Sequence, residues 1–557
     1  MCGKNRRLFY TLSMTVLPQK YRQLLPPALL AAVVLAIYFP VFHFGFVRWD
    51  DPQLVSENPL VRSFSPKIWV SYDPQLYDPL TMFSYQMEYL IGGGSAGIFH
   101  AVNVLLHFLT AYLLYLLLKA FRFGAVAALV GALLWAVHPL HVEAVAWVSG
   151  RKELLWAFFF FASLLVSMHF PSGDRRRWLG LPLFLCALLS KVSALTLPVV
   201  LLLLEWRDTG RVTARRTAAL WPFWLLTVVF GIIALFGRGK SAALLPVMDA
   251  LLLFVRSIAF TLSKVLWPFS LSAIYPAEPA SLLHPASLFG IASVAALFIA
   301  CYLLRRYRSV VFGLVFFLLT LAPGLFAYLK SNDITLTSDR YAYVPLAGLI
   351  IAVLAYHSLL PHSLLRRRLG TISAVVLVVF WATLSHAQVM TWRDTETLFQ
   401  HVLASAPDST VAMNNLGFIR LNAGELDAAE KFVTEALALK PDYPDALVNL
   451  ATIEAKRGRY DEAETALRHA LAIQPENAQA WFNFAGIALV RRDDETAVER
   501  YRIVVTIRPT HEQAWWQLSN ALLRLGKGSE AADAYRTTLT LNAGYRGKNP
   551  ELDRLAE

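Results

Sequence analysis

Charged residues are scarce in this sequence. Asp, Glu, Lys and Arg make up only 16% of its 557 residues, whereas 56% are hydrophobic, and the mean hydropathy is +0.48. Soluble globular domains carry more charge, typically about 25%. This composition excludes a wholly soluble protein and predicts a polytopic membrane protein.

Cysteine is equally scarce. The three cysteines, Cys2, Cys186 and Cys301, are widely separated, which excludes a disulfide framework and a cysteine-based zinc site. The sequence also lacks a glycine-rich phosphate loop, a nucleophile elbow and a Cys-His pair. Nucleotide-driven transport and acyl hydrolysis therefore have no support.

The positive charges are dispersed. The net charge of +12 comes from short Lys and Arg clusters between apolar runs, a distribution typical of cytoplasmic loops rather than of nucleic-acid binding. The basic N-terminus, with Lys4, Arg6 and Arg7, precedes a long apolar run without a small-residue cleavage site. We interpret it as a retained signal anchor on the cytoplasmic side.

Eleven apolar runs approach the roughly 20 residues that a membrane span requires. They lie near 27–46, 99–118, 124–140, 153–170, 178–191, 193–206, 218–236, 286–304, 309–328, 342–360 and 369–389. With the N-terminus inside, the basic loops fall on the cytoplasmic side and the C-terminus outside. The segment 244–269 is expected to lie at the outer interface or to re-enter the membrane, and the short runs around Lys191 to dip or tilt.

The C-terminal part is repetitive. Prolines 407, 441, 475 and 509 and alanines 429, 463, 497 and 531 each recur every 34 residues, which is the period of tetratricopeptide (TPR) repeats. We predict an all-α fold, in which a membrane helical bundle over 1–389 precedes a TPR solenoid over 390–557. The solenoid has four repeats in about 410–543, a preceding half-repeat and a polar cap. Such arrays offer a groove for peptide or protein; a spacer or oligomerisation element is the alternative.

Two adjacent carboxylates, Asp50 and Asp51, follow the first apolar run and open a long aromatic-rich loop. Charges at this position could merely solvate the start of the loop. The following residues, among them Trp69, Tyr72 and Tyr77, are aromatic and amphipathic, so we expect the loop to pack on the outer surface. Either aspartate is then a candidate base.

A second group contains two histidines, a carboxylate and two cations: His138, His141, Glu143, Arg151 and Lys152. Pro139 breaks the helix that would place both imidazoles on one face, so hydrogen-bonding roles are favoured over metal ligation. Glu143 lies among apolar residues and needs a cation. Arg151 or Lys152 could supply it, could bind an anionic substrate, or could simply flank the next span.

Further cations lie close to predicted spans. Lys191 falls between two apolar runs, and a lysine at membrane depth faces a cavity, an anion or a carboxylate unless it reaches the interface. The segment Asp339-Arg340-Tyr341 begins a span on the outer side. An arginine fork matches phosphate bidentately, although an interfacial anchor would show the same pattern.

The ordered motifs resemble the TMTC proteins, transmembrane and tetratricopeptide-repeat members of the GT-C glycosyltransferase superfamily. The motifs are Asp50-Asp51, Pro79-Leu80-Thr81, His100-Ala101-Val102-Asn103 with Leu106-His107, His138 to Ala144, Gly150-Arg151, Ser190-Lys191, Asp339-Arg340-Tyr341 and the TPR array. Two positions depart from the family pattern: Asp78 stands where an arginine is common, and Val192 where an acidic residue is common. The first departure could change donor or sugar specificity.

The resemblance implies inverting transfer of a sugar, mannose in eukaryotic relatives, from a polyprenyl phosphate to a hydroxyl acceptor such as Ser or Thr of a protein. It implies Asp50 or Asp51 as general base, with Asp50 preferred by analogy, and Glu143 as a group that orders the acceptor or a cation. Arg340 and Lys191, with Arg151, would bind the leaving phosphate. His138, His141, Lys152, Asp339 and Tyr341 would support them. No cofactor or protein-bound metal is expected, although a divalent ion stays open.

Two other functions fit the same sequence. One is a non-catalytic envelope scaffold that recruits partners through the TPR array, and the other is a polysaccharide ligase or polymerase with a lipid-diphosphate donor. No Asn-X-Ser/Thr acceptor site occurs, which favours a bacterial inner membrane with an outward TPR domain over the endoplasmic reticulum. The expected partners are the lipid-linked sugar, an acceptor protein and the bilayer, without nucleic acid.

Overall fold

A computed structural model of the chain describes residues 19–72, 76–170, 174–236, 245–324, 335–360 and 364–557. Within these ranges the secondary structure is helical, and an isolated bridge between Pro276 and Thr335 is the β pairing found. The predicted all-α class is confirmed. The chain divides into two compact units, Met1–Leu398 and Phe399–Glu557.

The helices before the repeat array differ widely in length. In chain order they are α1 Gln19–Tyr38, α2 Pro59–Arg62, α3 Pro79–Gly92, α4 Ala96–Ala120, α5 Ala125–Ala136, α6 Val142–Ala146, α7 Arg151–His169, α8 Gly180–Ser190, α9 Leu197–Thr209, α10 Ala214–Ala219, α11 Trp221–Phe236, α12 Val247–Leu266, α13 Pro285–Leu303, α14 Arg308–Leu321, α15 Pro345–His357, α16 Leu364–Met390 and α17 Thr395–Ser405.

Five helical stretches of the described residues are long and apolar enough to cross a membrane: Gln23–His43, Ala96–Ala120, Val148–His169, Pro285–Leu303 and Leu369–Met390. A sixth is possible if Ala125–Ala136 and Pro139–Ala146, which meet at a 56° bend, form one broken span. Fewer helices than the eleven predicted runs meet this criterion. The runs around Lys191 form the short helices α8 and α9, in keeping with their expected interruption.

The segment 247–266, predicted not to cross, forms one amphipathic helix, α12, that is not among the membrane-length helices. Its Arg256 is buried and donates to the Ser287 hydroxyl at 2.7 Å and to three backbone carbonyls of the loop 278–281. These bonds satisfy the buried guanidinium, which would otherwise be costly to remove from water. Arg256 therefore joins α12 to the start of α13.

Helix α4 lies at the centre of the first unit and packs against α1, α5 and α7. Its buried face carries Asn103 and His107 among apolar residues. His107 bonds the Tyr343 hydroxyl at 2.7 Å and the Ala136 carbonyl at 3.0 Å. Burying such polar groups is tolerable only when they are hydrogen-bonded, so these contacts fix α4 against the segments that carry the site.

Helices α14 and α15 approach unusually closely. A Cβ atom added at Gly313 would lie 2.4 Å from the carbonyl oxygen of Gly348, and one at Gly348 would lie 2.5 Å from the Gly313 carbonyl oxygen. Small residues allow such backbone contact between membrane helices. The contact positions the segment 339–342, which immediately precedes α15.

The second unit contains four helix pairs, as the 34-residue period predicts. They are α18 Thr410–Asn422 with α19 Leu426–Leu439, α20 Pro444–Lys456 with α21 Tyr460–Ile473, α22 Ala478–Val490 with α23 Asp494–Ile507, and α24 Glu512–Arg524 with α25 Gly528–Leu541. A last helix, α26 Pro550–Ala556, buries Leu552 against the final pair and forms the expected cap. The TPR prediction is confirmed.

Candidate active site

Asp51 is a buried anchor. Its Oδ2 accepts a hydrogen bond from the Val47 N–H at 2.8 Å, and its Oδ1 accepts from the Ser149 N–H at 3.0 Å and the Ser149 hydroxyl at 2.5 Å. Burial raises the pKa of the carboxyl to about 7, although these bonds oppose the shift. Asp51 thus ties the loop after α1 to the turn before α7.

Asp50 differs from its neighbour. It is half-buried, and its carboxylate makes no hydrogen bond or ion pair with any residue that the structure describes. The Asp50 charge nevertheless affects Arg340. Burial alone would lower the pKa of the Arg340 guanidinium. The negative charges of Glu143, Glu153 and Asp50 oppose this effect, and the pKa lies above its usual range. Asp50 therefore offers a carboxylate that pairs with no described residue and lies within electrostatic range of a cation.

Three tryptophans connect this loop to the arginine. Trp49 stacks on Trp147 with ring centroids 5.2 Å apart, and Trp147 stacks on Trp392 at 5.7 Å. The Arg340 guanidinium lies 5.2 Å from the Trp147 ring centre, a cation–π contact. Trp147 and Trp392 are buried, so the stack links Trp49, the residue before Asp50, to Arg340.

Glu143 and Arg340 form an ion pair across 197 residues of sequence. The Arg340 side chain donates through Nη1 to Glu143 Oε1, and its backbone N–H donates to Oε2 at 2.9 Å. Glu143 is buried, whereas the Arg340 side chain is 14% exposed. The predicted need of Glu143 for a cation is met by Arg340 and not by Arg151 or Lys152.

Two N–H groups beside this pair lack acceptors. Within the described part of the chain, neither Arg340 Nε nor Trp147 Nε1 has a hydrogen-bond partner, although both atoms are buried. Such unsatisfied donors are costly in a finished protein interior and are found where a ligand, ion or water completes the structure. The two N–H groups are therefore candidate donors to an anionic oxygen.

Lys191 supplies a second cation. It follows the last residue of α8 and takes an extended backbone, so its side chain leaves the apolar run and pairs with Glu153. Glu153 also accepts from Trp156 Nε1 at 2.8 Å. The Lys191 ammonium and the Arg340 guanidinium lie 4.9 Å and 5.2 Å from the ring centre of Tyr341. The two predicted cations therefore both contact the ring of Tyr341.

A small cavity of about 80 Å³ adjoins Lys191. Lys152, Asp78 and Tyr77 line it together with Phe230 and Ile233 of α11. Lys152 makes no ion pair with a described residue. The cavity thus combines two ammonium groups with an apolar wall, and it includes Asp78 and Val192, the two positions that depart from the family pattern.

Arg151 lies elsewhere, in a closed network. It is fully buried and donates to both oxygens of Glu88, to Asn103 Oδ1, to Ser84 Oγ at 3.1 Å and to the Phe99 carbonyl at 2.8 Å. A guanidinium has five N–H donors, and these contacts use all of them. The prediction that Arg151 binds the donor phosphate is therefore corrected: it joins α3, α4 and α7.

Asp339 and His138 also have internal hydrogen-bond partners, whereas His141 makes ring contacts and neither of its ring nitrogens is hydrogen-bonded to a described residue. Burial, and next the charge of Glu143, raises the pKa of the Asp339 carboxyl well above its usual range, and its Oδ1 accepts from the Tyr275 hydroxyl at 2.9 Å. His138 Nε2 bonds the Val265 carbonyl at 3.1 Å. His141 packs against Trp135 with ring centroids 4.4 Å apart. In the described ranges no group of three His, Cys, Asp or Glu residues could hold a metal.

Two members of these networks were not predicted from the sequence. Trp147 lies within the apolar turn after Glu143, where its ring suggests only packing, and no local pattern marks its N–H as unsatisfied. Glu88 shares a helix face with Ser84, but its pairing with Arg151 depends on how α3 lies across α7. Short-range periodicity carries no signal for such contacts.

The sequence is similar to several proteins named as protein O-mannosyl-transferases. Over 407 residues, 69% of this chain and 57% of the relative, it is 23% identical to "Protein O-mannosyl-transferase F38B6.6" of Caenorhabditis elegans. It is 34% identical to "Protein O-mannosyl-transferase Tmtc2" of Drosophila melanogaster over 195 residues, 31% of this chain and 21% of that protein. The match thus covers about a fifth of the length of the Drosophila relative and somewhat over half of the length of the Caenorhabditis relative.

The repeat region has matches of its own. The family model of the Cilia and flagella-associated protein 70 middle TPR-like domain matches residues 387–490. A crystal structure of MamA is 19% identical, with 27% of this chain and 88% of that chain covered and a TM-score of 0.24. The predicted resemblance to TMTC proteins is confirmed by the names of the relatives together with the TPR match.

Proposed function

Because the chain is TMTC-like, we propose that it transfers a sugar, mannose or another hexose, from a polyprenyl phosphate to the hydroxyl of a Ser or Thr residue. The relatives named as protein O-mannosyl-transferases support this class of reaction. The two unsatisfied donors, Arg340 Nε–H and Trp147 Nε1–H, beside the available carboxylate of Asp50 carry the proposal.

Asp50 acts as the general base in this proposal. The acceptor oxygen bonds to the anomeric carbon as its proton passes to Asp50, and the bond from that carbon to the phosphate oxygen breaks, its electron pair leaving with the phosphate. Direct displacement inverts the anomeric centre. Asp51 holds Asp50 in position, because its own oxygens are already occupied by Val47 and Ser149.

The leaving phosphate meets three donors. Arg340 Nε–H and Trp147 Nε1–H would donate to the phosphate oxygens, and the Lys191 ammonium contacts the same Tyr341 ring as Arg340. Glu143 and Glu153 orient the two cations and limit their motion. Preorganised donors of this kind stabilise charge that develops on a leaving group. Lys152 adds positive charge at the adjoining cavity.

The TPR unit would bind the acceptor protein. Asn415, Asn449 and Asn483 recur at the same position of the first helix in three successive pairs. They form side-chain bonds within the array, such as Asn483 Nδ2 to the Thr452 hydroxyl at 2.9 Å. Asn449 is buried, whereas Asn415 and Asn483 are partly exposed. Amide side chains can donate to and accept from an extended peptide backbone, so these two positions suit a peptide without fixing its sequence.

The basic loops suggest the orientation. Lys and Arg concentrate at the ends of the helices remote from Asp50, including Arg122, Arg306 and Arg308. By the positive-inside rule these ends face the cytoplasm and the proposed site faces outward. We place the chain in a bacterial inner membrane, with undecaprenyl phosphate as the carrier.

The test is sugar transfer by the purified full chain from synthetic mannosyl-phosphoryl-undecaprenol to a library of Ser- and Thr-containing peptides. Asp50→Asn should lower turnover about 10²–10⁴-fold, the usual contribution of a positioned base, with an unchanged melting temperature. Glu57→Gln, an exposed carboxylate in the same loop, is the matched control and should keep wild-type turnover. Trp147→Phe keeps the ring stack but removes the N–H and should lower turnover with normal folding.

Each alternative has its own outcome. Full transfer activity in Asp50→Asn would exclude Asp50 as the general base. If the protein transfers no sugar, and both the wild type and Asp50→Asn still bind envelope proteins, the protein is a scaffold. Activity only with a lipid-diphosphate glycan donor would make it a polysaccharide ligase or polymerase.

A further inference from the structure

A crevice of about 1010 Å³ lies at the end of the membrane unit remote from Asp50. Helix α4 runs 25 residues from the neighbourhood of Arg151 to Ala120, about 37 Å at 1.5 Å per residue. The crevice begins where α4 ends and opens between α5, α15 and α16. It is therefore separate from the candidate active site.

The walls of the crevice are apolar. Val126, Val130 and Leu134 line it from α5 at intervals of four residues, which place them on one face of the helix. Leu354 of α15 and Ala374 of α16 lie among the other lining residues. A continuous apolar slot between membrane helices suits a hydrocarbon chain.

The mouth of the crevice is cationic. Arg122, Arg306 and Arg308 line it, and each is exposed. Among the described residues none of these guanidinium groups has a side-chain hydrogen bond or an ion pair, and the lining residues include no Asp or Glu. Three uncompensated arginines beside an apolar slot create a strong preference for an anion.

A neighbouring cavity shows the contrast. It has a volume of about 740 Å³ and shares Arg122 with the crevice, but its other arginines are largely compensated. Arg207 pairs with Asp208 at 2.6 Å, and Arg216 pairs with Glu205 at 2.9 Å. Clustered arginine is thus common at this end, and the crevice differs from the neighbouring cavity in combining apolar walls with arginines that pair with no described residue.

The backbone at Arg122 adds a further observation. Arg122 has a φ of +67°, in the left-handed region that residues other than glycine adopt at a cost. This conformation lies at the turn between α4 and α5, which lines the crevice. Strained backbone of this kind is concentrated at ligand sites.

We propose that the crevice binds an anionic glycerophospholipid, with one acyl chain along α5 and its phosphate against Arg122, Arg306 and Arg308. A soluble anion would not require the apolar walls, and a neutral lipid would not require the arginines. Basic pockets between membrane helices recognise anionic headgroups by this combination. The proposal is independent of the sugar-transfer reaction.

The test measures lipid binding to the purified, delipidated full chain by native mass spectrometry. Dioleoylphosphatidylglycerol should bind, and dioleoylphosphatidylcholine, with the same acyl chains, should bind far more weakly. Arg306→Ala with Arg308→Ala should weaken phosphatidylglycerol binding about 10- to 30-fold. The matched control, Arg175→Ala with Arg305→Ala, removes two exposed arginines that do not line the crevice and should leave binding unchanged.

A second variant tests whether the apolar slot binds the acyl chain. It also provides independent evidence if the double-arginine variant does not fold. Val130→Trp keeps every charge but fills the slot, and it should also weaken phosphatidylglycerol binding while helical content by circular dichroism stays normal. Wild-type binding in both variants, equal loss in the matched control, or displacement of the lipid by millimolar inorganic phosphate would overturn the proposal. The last result would identify a soluble-anion site instead.

Discussion

Two arginine–glutamate pairs of the membrane unit make an instructive comparison. Arg151 is fully buried, and Glu88, Asn103 and other partners use all its donors. Arg340 pairs with Glu143 but is 14% exposed and keeps an Nε–H without an acceptor. The same pair of residue types thus stabilises the fold in one place and leaves capacity for a ligand in the other.

The first prediction concerns the closed pair and has the largest expected effect. Arg151→Gln leaves Glu88 buried without its cation, which typically costs about 3–5 kcal/mol. We expect a marked loss in the free energy of unfolding, measured by denaturant titration in detergent micelles. Arg340→Gln also removes the cation of a buried glutamate. It should cost less stability, because Arg340 makes one side-chain hydrogen bond to Glu143 and its backbone N–H bond survives the substitution, whereas Arg151 makes five side-chain bonds. An equal loss in both variants would erase the distinction between the pairs.

The second prediction concerns the open pair. Arg340→Gln removes donors aimed at the leaving phosphate, and loss of one such donor typically lowers turnover about 10²–10³-fold. Turnover should be measured with saturating lipid-linked mannose and normalised to folded protein. Normal turnover in this variant would make Arg340 a structural residue like Arg151.

The third prediction concerns Asp51, which we regard as an anchor. In Asp51→Asn the amide nitrogen cannot accept from Val47, and an unmet buried hydrogen bond costs about 1–3 kcal/mol. Because the folded pKa is raised to about 7, the native state holds a proton that the unfolded state has lost between about pH 4 and pH 7.

Wild-type stability should therefore fall as pH rises through that window, and the Asp51→Asn variant should lack this part of the fall. Thermal unfolding at closely spaced pH values measures both slopes. Identical slopes in the two proteins would show that Asp51 does not titrate there.

The smallest expected effect belongs to Lys152. It lines the cavity beside Lys191 without an ion pair to a described residue, so Lys152→Ala should weaken donor binding by up to about fivefold, the range for a partly exposed charge. The Michaelis constant for the lipid-linked sugar should rise while turnover stays constant. A fall in turnover with an unchanged Michaelis constant would assign Lys152 to the chemical step.

The comparison also shows what the sequence could predict. The TPR array follows from a 34-residue period because each repeat packs only on its neighbours, and the nearness of Arg340 and Lys191 follows from loops assigned to one membrane face. Arg151 and Arg340 both adjoin apolar runs, so their difference could not be predicted. It depends on Glu88, 63 residues from Arg151, and Glu143, 197 residues from Arg340.

The adjacent aspartates illustrate the same limit at short range. Asp50 and Asp51 are equivalent in composition and position, but Asp51 meets the Ser149 turn 98 residues later and becomes buried. Which neighbour points inward depends on the path of the loop after α1. The family resemblance favoured Asp50, and the hydrogen bonds of Asp51 now support that preference on physical grounds.

The most direct measurement is a cryo-electron microscopy structure of the full chain with undecaprenyl phosphate. The proposal predicts phosphate oxygens at hydrogen-bond distance, about 3 Å, from Arg340 Nε and within reach of Lys191 Nζ, with Asp50 on the side from which an acceptor would approach. A lipid phosphate bound away from both Arg340 and Lys191, with the Trp147 and Arg340 donors satisfied by ordered water, would contradict it.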